Sequence, residues 1–445
     1  MSSGNGDQLL GVVLLARHGD RQGFYQDPNS YTPFGTAITP TGTEEELQLG
    51  TFLRQRYLNE TSPNFIHDIS QTRADITQVL VRADAGGEGG VIYNSALALL
   101  QGLYPPTPSW NETLANGTVV VGASNGYQFI PVESVEPSND VSLEGWTSCG
   151  PFTTATNAFY ASPEFQAKAN ENADFLDSLK QYLDGRQVSL QNMWNIYDFL
   201  NVRYIHDANF VRRFPHPMLA QARNLANWHE YGVFSDPSPG GIRNIAGRTI
   251  LPSILNGLGD IANSSNPLKI LYQAISYKPF ISLFNMTGVA QQHPELAGIV
   301  DYAATVAFEV RSSSNGPVIR FNFKNGTLES DFTTYPLFGT SDDVPLSTFV
   351  DRLSDVAIND TPEWCTVCQN SNDRGCGDLT LAAGQAIDSE RLHPVGAGLL
   401  GAAMAVACMI ILFLFAWFLG FIQCGKKTKR TKRGSSYSES DVVKV

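Results

Sequence analysis

The feature that most constrains the fold is an apolar run that ends in a cluster of charged residues. Residues 9–16, with the sequence LLGVVLLA, carry no polar side chain. A short run without polar alternation is typical of a strand buried on both faces, which predicts an α/β fold with a parallel sheet. The run leads directly into Arg17-His18-Gly19-Asp20-Arg21. Because ligands in open α/β sheets bind beyond the carboxyl ends of strands, we expect a binding site here.

The charged cluster has the chemistry of an oxyanion site. A neutral imidazole can attack phosphorus and carry the phosphoryl group, which makes His18 the candidate nucleophile. Arg17 and Arg21 flank it and can bind phosphate oxygens bidentately while stabilising transition-state charge. Gly19 lets the backbone approach the ligand closely. The alternative is that these residues are surface charges that follow a buried strand.

Several further segments accompany the motif. They are Ile38-Thr39-Pro40-Thr41-Gly42, Ser95-Ala96, Gly102-Leu103-Tyr104-Pro105-Pro106 and Val318-Ile319-Arg320-Phe321-Asn322. With the motif they resemble the histidine acid phosphatase branch of the histidine phosphatase superfamily, which includes acid phosphatases and phytases. The resemblance implies a phosphoglycerate-mutase-like α/β core with a helical cap insertion, and a phosphohistidine intermediate. We expect no cofactor and no metal.

Two elements of the family pattern are incomplete. The family has an Arg-Ser-Thr-Asp element at a strand end, and Arg82-Ala83-Asp84 matches it only in part. We expect Arg82 to line the phosphate pocket, although it could instead pair with Asp84. A second family arginine falls within Gly89-Gly90-Val91 and is absent.

The usual acid pair is also missing. The family places His-Asp or His-Glu after a late buried strand, which here is predicted over residues 269–275. Depending on the register, the matching residues are Ile275-Ser276 or Tyr277-Lys278, and neither pair includes a carboxylate. Tyr277 could donate a proton and Lys278 could bind phosphate, or both are ordinary sheet-end residues. The proton donor therefore stays unassigned.

The C-terminal region predicts a membrane anchor. Residues 395–422 contain no charged side chain and are long enough to span a bilayer, and a run of lysines and arginines follows them. The predicted topology is a single-pass type I protein of the plasma membrane or secretory pathway with the N-terminal domain extracellular or lumenal. No convincing signal peptide is present, so we expect the natural N-terminus to be missing; the alternative is a tail-anchored protein that faces the cytosol.

Sequons and cysteines agree with a lumenal domain. Sequons begin at Asn59, Asn111, Asn116, Asn263, Asn285, Asn325 and Asn359, which predicts a glycoprotein. Cys149, Cys365, Cys368 and Cys376 precede the predicted anchor. They allow two disulfides in any of about three pairings.

The predicted domain organisation follows the alternation of strand and helix signals. Its parts are an α/β core over 8–125 and 241–355, a mainly helical cap over 126–240, a cysteine-bearing stalk over 356–394, a transmembrane helix over 395–422 and a basic cytoplasmic tail over 423–445.

The sequence predicts a phosphate monoester or another anionic ligand as the partner. The net charge of −13 disfavours nucleic acid. The leading hypothesis is a membrane-anchored phosphatase that hydrolyses phosphate monoesters through a phosphohistidine. The alternative is a catalytically impaired pseudophosphatase that binds a phosphorylated ligand or a protein partner through the same pocket.

Overall fold

The computed structural model describes residues 8–23, 36–86, 88 and 90–379, together with 407, 409–412, 414 and 415. Its strands are β1 Leu9–Arg17, β2 Val79–Asp84, β3 Asn111–Thr113, β4 Val119–Val121, β5 Glu133–Val135, β6 Ile270–Ile275, β7 Thr305–Arg311, β8 Val318–Lys324, β9 Thr333–Thr334 and β10 Val344–Pro345. Its helices are α1 Pro40–Tyr57, α2 Val91–Leu103, α3 Ala123–Gly126, α4 Gly150–Tyr160, α5 Pro163–Glu171, α6 Ala173–Leu179, α7 Met193–His206, α8 Ala208–Arg213, α9 His216–Phe234, α10 Ile245–Ala262, α11 Lys278–Met286, α12 Val289–Gln292, α13 Leu346–Leu353 and α14 Thr361–Val367.

The main sheet is mixed, with β1 near its centre. The strand order is β10-β8-β7-β1-β6-β2-β5, and β9 pairs with β8. β1 runs parallel to β6 on one side and antiparallel to β7 on the other. The strand is buried as predicted, and it is parallel to its neighbour on the β6 side but antiparallel on the β7 side.

Both faces of β1 are covered, which explains why its sequence lacks alternation. Val13 and Leu15 belong to a hydrophobic cluster that includes Leu258 of α10. Val12 and Leu14 point to the opposite face and belong to a second cluster, built with α1 and α2. Because successive strand residues face opposite ways, a strand buried on both sides must be apolar at every position.

The strand registers align the carboxyl ends of three parallel strands. Arg17 of β1 lies opposite Ile275 of β6, and Ala83 of β2 lies opposite Ala274. The segments that follow β1, β6 and β2 therefore leave the sheet at the same edge. This edge is where the candidate site forms.

Helices α4–α9 form a helical insertion between β5 and β6, and a disulfide ties it to the end of the fold. Cys149, the N-cap residue of α4, is bonded to Cys368, and Cys365 is bonded to Cys376. Trp364 is fully buried, and its indole N–H donates to the Gly145 carbonyl oxygen at 2.7 Å. Residues 361–379, part of the segment predicted as a stalk, thus pack against the same unit, which extends to Leu379.

The structure does not support the predicted C-terminal transmembrane helix, so this part of the fold prediction is corrected. Most of residues 395–422 lies outside the described residues. Within the part of the chain that is described, no helix combines the length and the apolar character that crossing a bilayer requires. The prediction rested on the apolar character and length of the segment and on the basic run that follows it.

Candidate active site

The motif lies where β1 leaves the sheet. The backbone N–H of Arg17 donates to the Ala304 carbonyl oxygen at 2.9 Å, and that of His18 donates to the Ile275 carbonyl oxygen at 3.2 Å. These bonds hold the backbone between the ends of the two neighbouring strands. Arg17 is 6% exposed and His18 is 1% exposed. Both side chains are buried, so the alternative interpretation of surface charges does not hold for them.

Gly19 is required by a close backbone approach. A Cβ atom at this position would lie 2.3 Å from the Gly42 carbonyl oxygen, well inside van der Waals contact. The Gly19 N–H donates to Ser95 Oγ at 3.1 Å. The segment 38–42 and the Ser95-Ala96 pair therefore both contact the motif, although they are far from it in the sequence.

The two nitrogens of His18 have different environments. Nδ1 lies 2.8 Å from the Gly19 carbonyl oxygen, which can only accept, so Nδ1 carries a hydrogen. Nε2 therefore faces the site, and it lies 2.9 Å from Glu88 Oε2. Because a deprotonated Nε2 and a carboxylate oxygen would both present lone pairs, one proton lies between them. Burial lowers the pKa of His18, and Glu88 acts against this shift.

Arg21 lies between two acidic side chains. Its Nη2 is 2.9 Å from Asp198 Oδ1 and its Nε is 3.5 Å from Glu88 Oε2. Burial alone would lower the pKa of Arg21, but Asp198 and Glu88 outweigh burial and raise it. Burial would likewise raise the pKa of Glu88, but His18 and Arg21 together hold it well below its usual range.

Arg17 points toward aromatic rings and keeps a free donor. Its guanidinium carbon is 4.4 Å from the Tyr302 ring centroid and 5.3 Å from that of Tyr277, and Nη1 donates to the Val300 carbonyl oxygen. Among the described residues, its buried Nε has no hydrogen-bond partner. A buried, unsatisfied donor on a cation is available for an anion.

A cavity of about 260 Å³ opens above Arg17. Tyr302, Asp198 and Trp194 contribute to its wall. The His18 ring lies 5.6 Å from the Tyr302 ring, centroid to centroid. A larger cavity of about 1090 Å³ lies beside β8 and includes none of the motif residues.

The structure brings both candidate residues after β6 to the site. Lys278 Nζ is 5.0 Å from the ring centroids of Trp146 and Tyr277, and its charge contributes to the lowered pKa of Glu88. The Tyr277 hydroxyl instead donates to Glu230 Oε2. Burial, followed by Glu230, raises the pKa of Tyr277 well above its ordinary value.

Arg82 pairs with acidic side chains that do not belong to the His18 site. Its Nε lies 2.8 Å from Glu133 Oε2 and its Nη2 lies 2.6 Å from Asp140 Oδ2. It also donates to Gln273 Oε1 at 3.3 Å. The structure thus uses this guanidinium to tie β2 to β5 and the following loop rather than to surround His18.

Two further carboxyl groups, Asp84 and Glu144, lie close together at Gly86. A Cβ atom on Gly86 would be 1.7 Å from Glu144 Oε2 and 2.9 Å from Asp84 Oδ1. Burial and then the nearby Glu144 raise the pKa of Asp84 well above its usual range. Burial also raises the pKa of Glu144.

Comparison with known proteins shows similarity to acid phosphatases. No protein-family model matches the chain. Bovine (Bos taurus) lysosomal acid phosphatase is 27% identical over 374 residues, which is 80% of this chain and 79% of that protein. Human prostatic acid phosphatase is 24% identical over 392 residues, covering 84% of this chain and 91% of that protein. The chain is similar to histidine acid phosphatases over most of its length, and the resemblance stated from the motif is confirmed.

Solved structures of phytases share the fold of this chain. A phytase from Hafnia alvei, in complex with tartrate, superposes with a TM-score of 0.53 at 16% identity, covering 81% of this chain and 99% of that one. The phytase of Klebsiella sp. ASR1 gives 0.54 at 12% identity, with 79% and 96% covered. The family prediction made from the motif is therefore confirmed.

The sequence analysis missed Glu88 and Asp198. Glu88 is the one charged residue between Gly86 and Gly90, and a lone carboxylate in a glycine-rich loop was the available signal. Asp198 lies in α7 and looks like an ordinary polar position of a helix. Only the packing of α7 against the motif reveals its contact with Arg21.

Proposed function

We propose that this chain hydrolyses phosphate monoesters, with His18 as the phosphoryl acceptor. The observation that carries the proposal is the fixed orientation of the imidazole. The Gly19 carbonyl holds the hydrogen on Nδ1, so Nε2 is the atom that can attack phosphorus. Sequence similarity to acid phosphatases supports the same reaction class.

Arg17 and Arg21 have proposed roles in binding the phosphate. Arg17 keeps a buried donor at Nε and lies in the wall of the cavity through which a substrate would enter. Arg21 is held beside Nε2 by Asp198. Two fixed guanidinium groups stabilise the charge that develops on the equatorial oxygens more than they stabilise the bound substrate.

Lys278 is a proposed third cation of the pocket. It is 4% exposed and its ammonium group lies over the rings of Trp146 and Tyr277. The contribution of its charge to the lowered pKa of Glu88 supports this role. We assign Tyr277 a positioning role, because its hydroxyl is committed to Glu230.

We also propose that the chain resides in a lumenal or extracellular compartment. The bonds Cys149–Cys368 and Cys365–Cys376 support this location, because structural disulfides persist in oxidising compartments.

The test is hydrolysis of an aryl phosphate by the purified full-length chain between about pH 3 and 7 beside His18→Ala. We expect His18→Ala to lower kcat by at least about a thousandfold. Rapid quenching should also trap an acid-labile phosphoryl group on the wild-type protein and none on the variant. Equal background rates in both proteins would refute the proposal.

One observation favours the second candidate, a pseudophosphatase that binds phosphorylated ligands. The Glu88 carboxylate lies where phosphorus must approach Nε2, at 2.9 Å, and its charge opposes a phosphate dianion. A protein that is thermally stabilised by inorganic phosphate but releases no product would support this alternative.

A further inference from the structure

The proposed reaction needs a group that protonates the leaving alcohol, and the residues after β6 do not supply it. The Tyr277 hydroxyl directs its hydrogen to Glu230, and burial makes it a weaker acid than usual. Lys278 is a cation whose ammonium group faces aromatic rings. An alkyl phosphate without a proton donor reacts about a hundred- to ten-thousandfold more slowly.

We infer that Glu88, in contact with the phosphoryl-accepting nitrogen of His18, is the catalytic proton donor. This inference rests on the proposed function. It places the proton donor in the loop after β2, whereas the family pattern places it after the strand that corresponds to β6. Glu88 Oε2 is 2.9 Å from Nε2 and 3.5 Å from Arg21 Nε. The side chain is 7% exposed, so bulk water does not compete for its proton.

The pair of His18 and Glu88 already holds the proton that the reaction requires. Without substrate, His18 and Arg21 stabilise the Glu88 carboxylate, so the shared proton rests nearer to Nε2. A bound phosphate dianion reverses this preference, because it places negative charge beside Glu88 and engages Arg21. The proton then moves to Glu88, which leaves Nε2 neutral and nucleophilic. Protonation also removes the repulsion between Glu88 and phosphate.

The carboxyl group must make room for the substrate. Phosphorus has to come within roughly 3–3.5 Å of Nε2 before reaction, which is the space that Oε2 fills. In an in-line displacement the ester oxygen lies on the side of phosphorus opposite Nε2, so the inference requires the Glu88 side chain to rotate away from Nε2 and reach that oxygen. The residues on either side of it in the sequence are glycines, which present no side chain against that rotation.

The two half-reactions balance in atoms and charge. In the first, the Nε2 lone pair forms the bond to phosphorus, the bond from phosphorus to the ester oxygen breaks, and that oxygen takes the proton from Glu88. In the second, water attacks phosphorus while the Glu88 carboxylate accepts a proton from it. The bond from phosphorus to Nε2 breaks, and phosphate and the original pair are restored.

The decisive variant is Glu88→Gln, which keeps the size of the side chain but cannot donate an acid proton. We expect its kcat on an alkyl phosphate to fall by about a hundred- to ten-thousandfold. With 4-nitrophenyl phosphate, whose leaving group needs no acid, the first turnover should persist as a burst of one nitrophenol per chain. Slow steady turnover should follow, with phosphohistidine accumulating, because water activation is also lost. Glu112→Gln, in the exposed strand β3, is the matched control and should behave like the wild type.

The outcomes separate this inference from the proposed function. Wild-type protein that is inactive on both substrates defeats the proposed function. An active wild type whose Glu88→Gln variant hydrolyses the alkyl phosphate normally or faster defeats the inference alone and makes Glu88 an obstruction. If loss of alkyl activity follows Asp84→Asn instead, Asp84 is the donor and the inference is wrong.

A measurement on the unmodified protein guards against a variant that fails to fold. With a working donor, kcat/KM across a series of phosphate esters should depend only weakly on the pKa of the leaving alcohol. A steep decline with that pKa in the wild type would show that no donor operates and would overturn the inference.

Discussion

The ion pair between Arg21 and Asp198 gives the sharpest test of how the helical insertion supports the site. Asp198 lies in α7, whereas Arg21 follows β1, and their side chains are 6% and 0% exposed. Removing one partner of such a buried pair costs about 3–5 kcal/mol, because the remaining charge is left uncompensated. Glu88 still lies 3.5 Å from Arg21 Nε, so we expect Asp198→Ala to lower the free energy of unfolding by about 3 kcal/mol, at the low end of that range.

The assay is urea unfolding of wild type, Asp198→Ala and the double variant Arg21→Met/Asp198→Leu. The double variant should be more stable than Asp198→Ala, because it removes both charges of this pair, although Glu88 then loses Arg21 and keeps His18 as a close charged partner. Glu171→Ala is the control: it breaks an exposed pair with Lys168 and should cost less than about 1 kcal/mol. If Asp198→Ala costs no more than Glu171→Ala, the buried pair does not hold Arg21 in place, and our account of its orientation fails.

Two further predictions concern stability. Replacing both Cys149 and Cys368 with Ser opens a loop closed across 219 residues, and chain entropy predicts a loss of about 5 kcal/mol in the free energy of unfolding. Replacing Cys365 and Cys376 opens a loop across 11 residues, for which the predicted loss is about 3 kcal/mol. Equal losses in thermal or urea unfolding would contradict the entropic argument. Because the pKa of Asp84 is raised in the folded protein, its protonated carboxyl group favours the folded state at low pH. That contribution to the free energy of unfolding is lost as the pH rises above the pKa of Asp84 in the unfolded chain, about 3.9. Asp84→Asn should therefore become more stable relative to wild type between about pH 4 and pH 7, and a difference in unfolding free energy that stays constant with pH would show that Asp84 ionises normally.

The sequence by itself determined the central strand, the motif and the resemblance to histidine acid phosphatases. An uninterrupted apolar run can only be a strand covered on both faces or a buried helix, and the charged cluster directly after it favoured the strand. The tautomer of His18 is also local, because the carbonyl that fixes it belongs to the next residue. These features depend on neighbours in the chain, so the order of residues is enough to predict them.

The tertiary structure decided which charged groups surround the imidazole. Arg82 was expected in the pocket but pairs with Glu133 and Asp140, because the loop after β5 brings these carboxylates to it. Glu88 and Asp198 instead face the motif from a glycine-rich loop and from a helix of the insertion. Coulomb interactions act through space over a few ångströms, and the distance between two side chains far apart in the sequence exists only after the chain has folded.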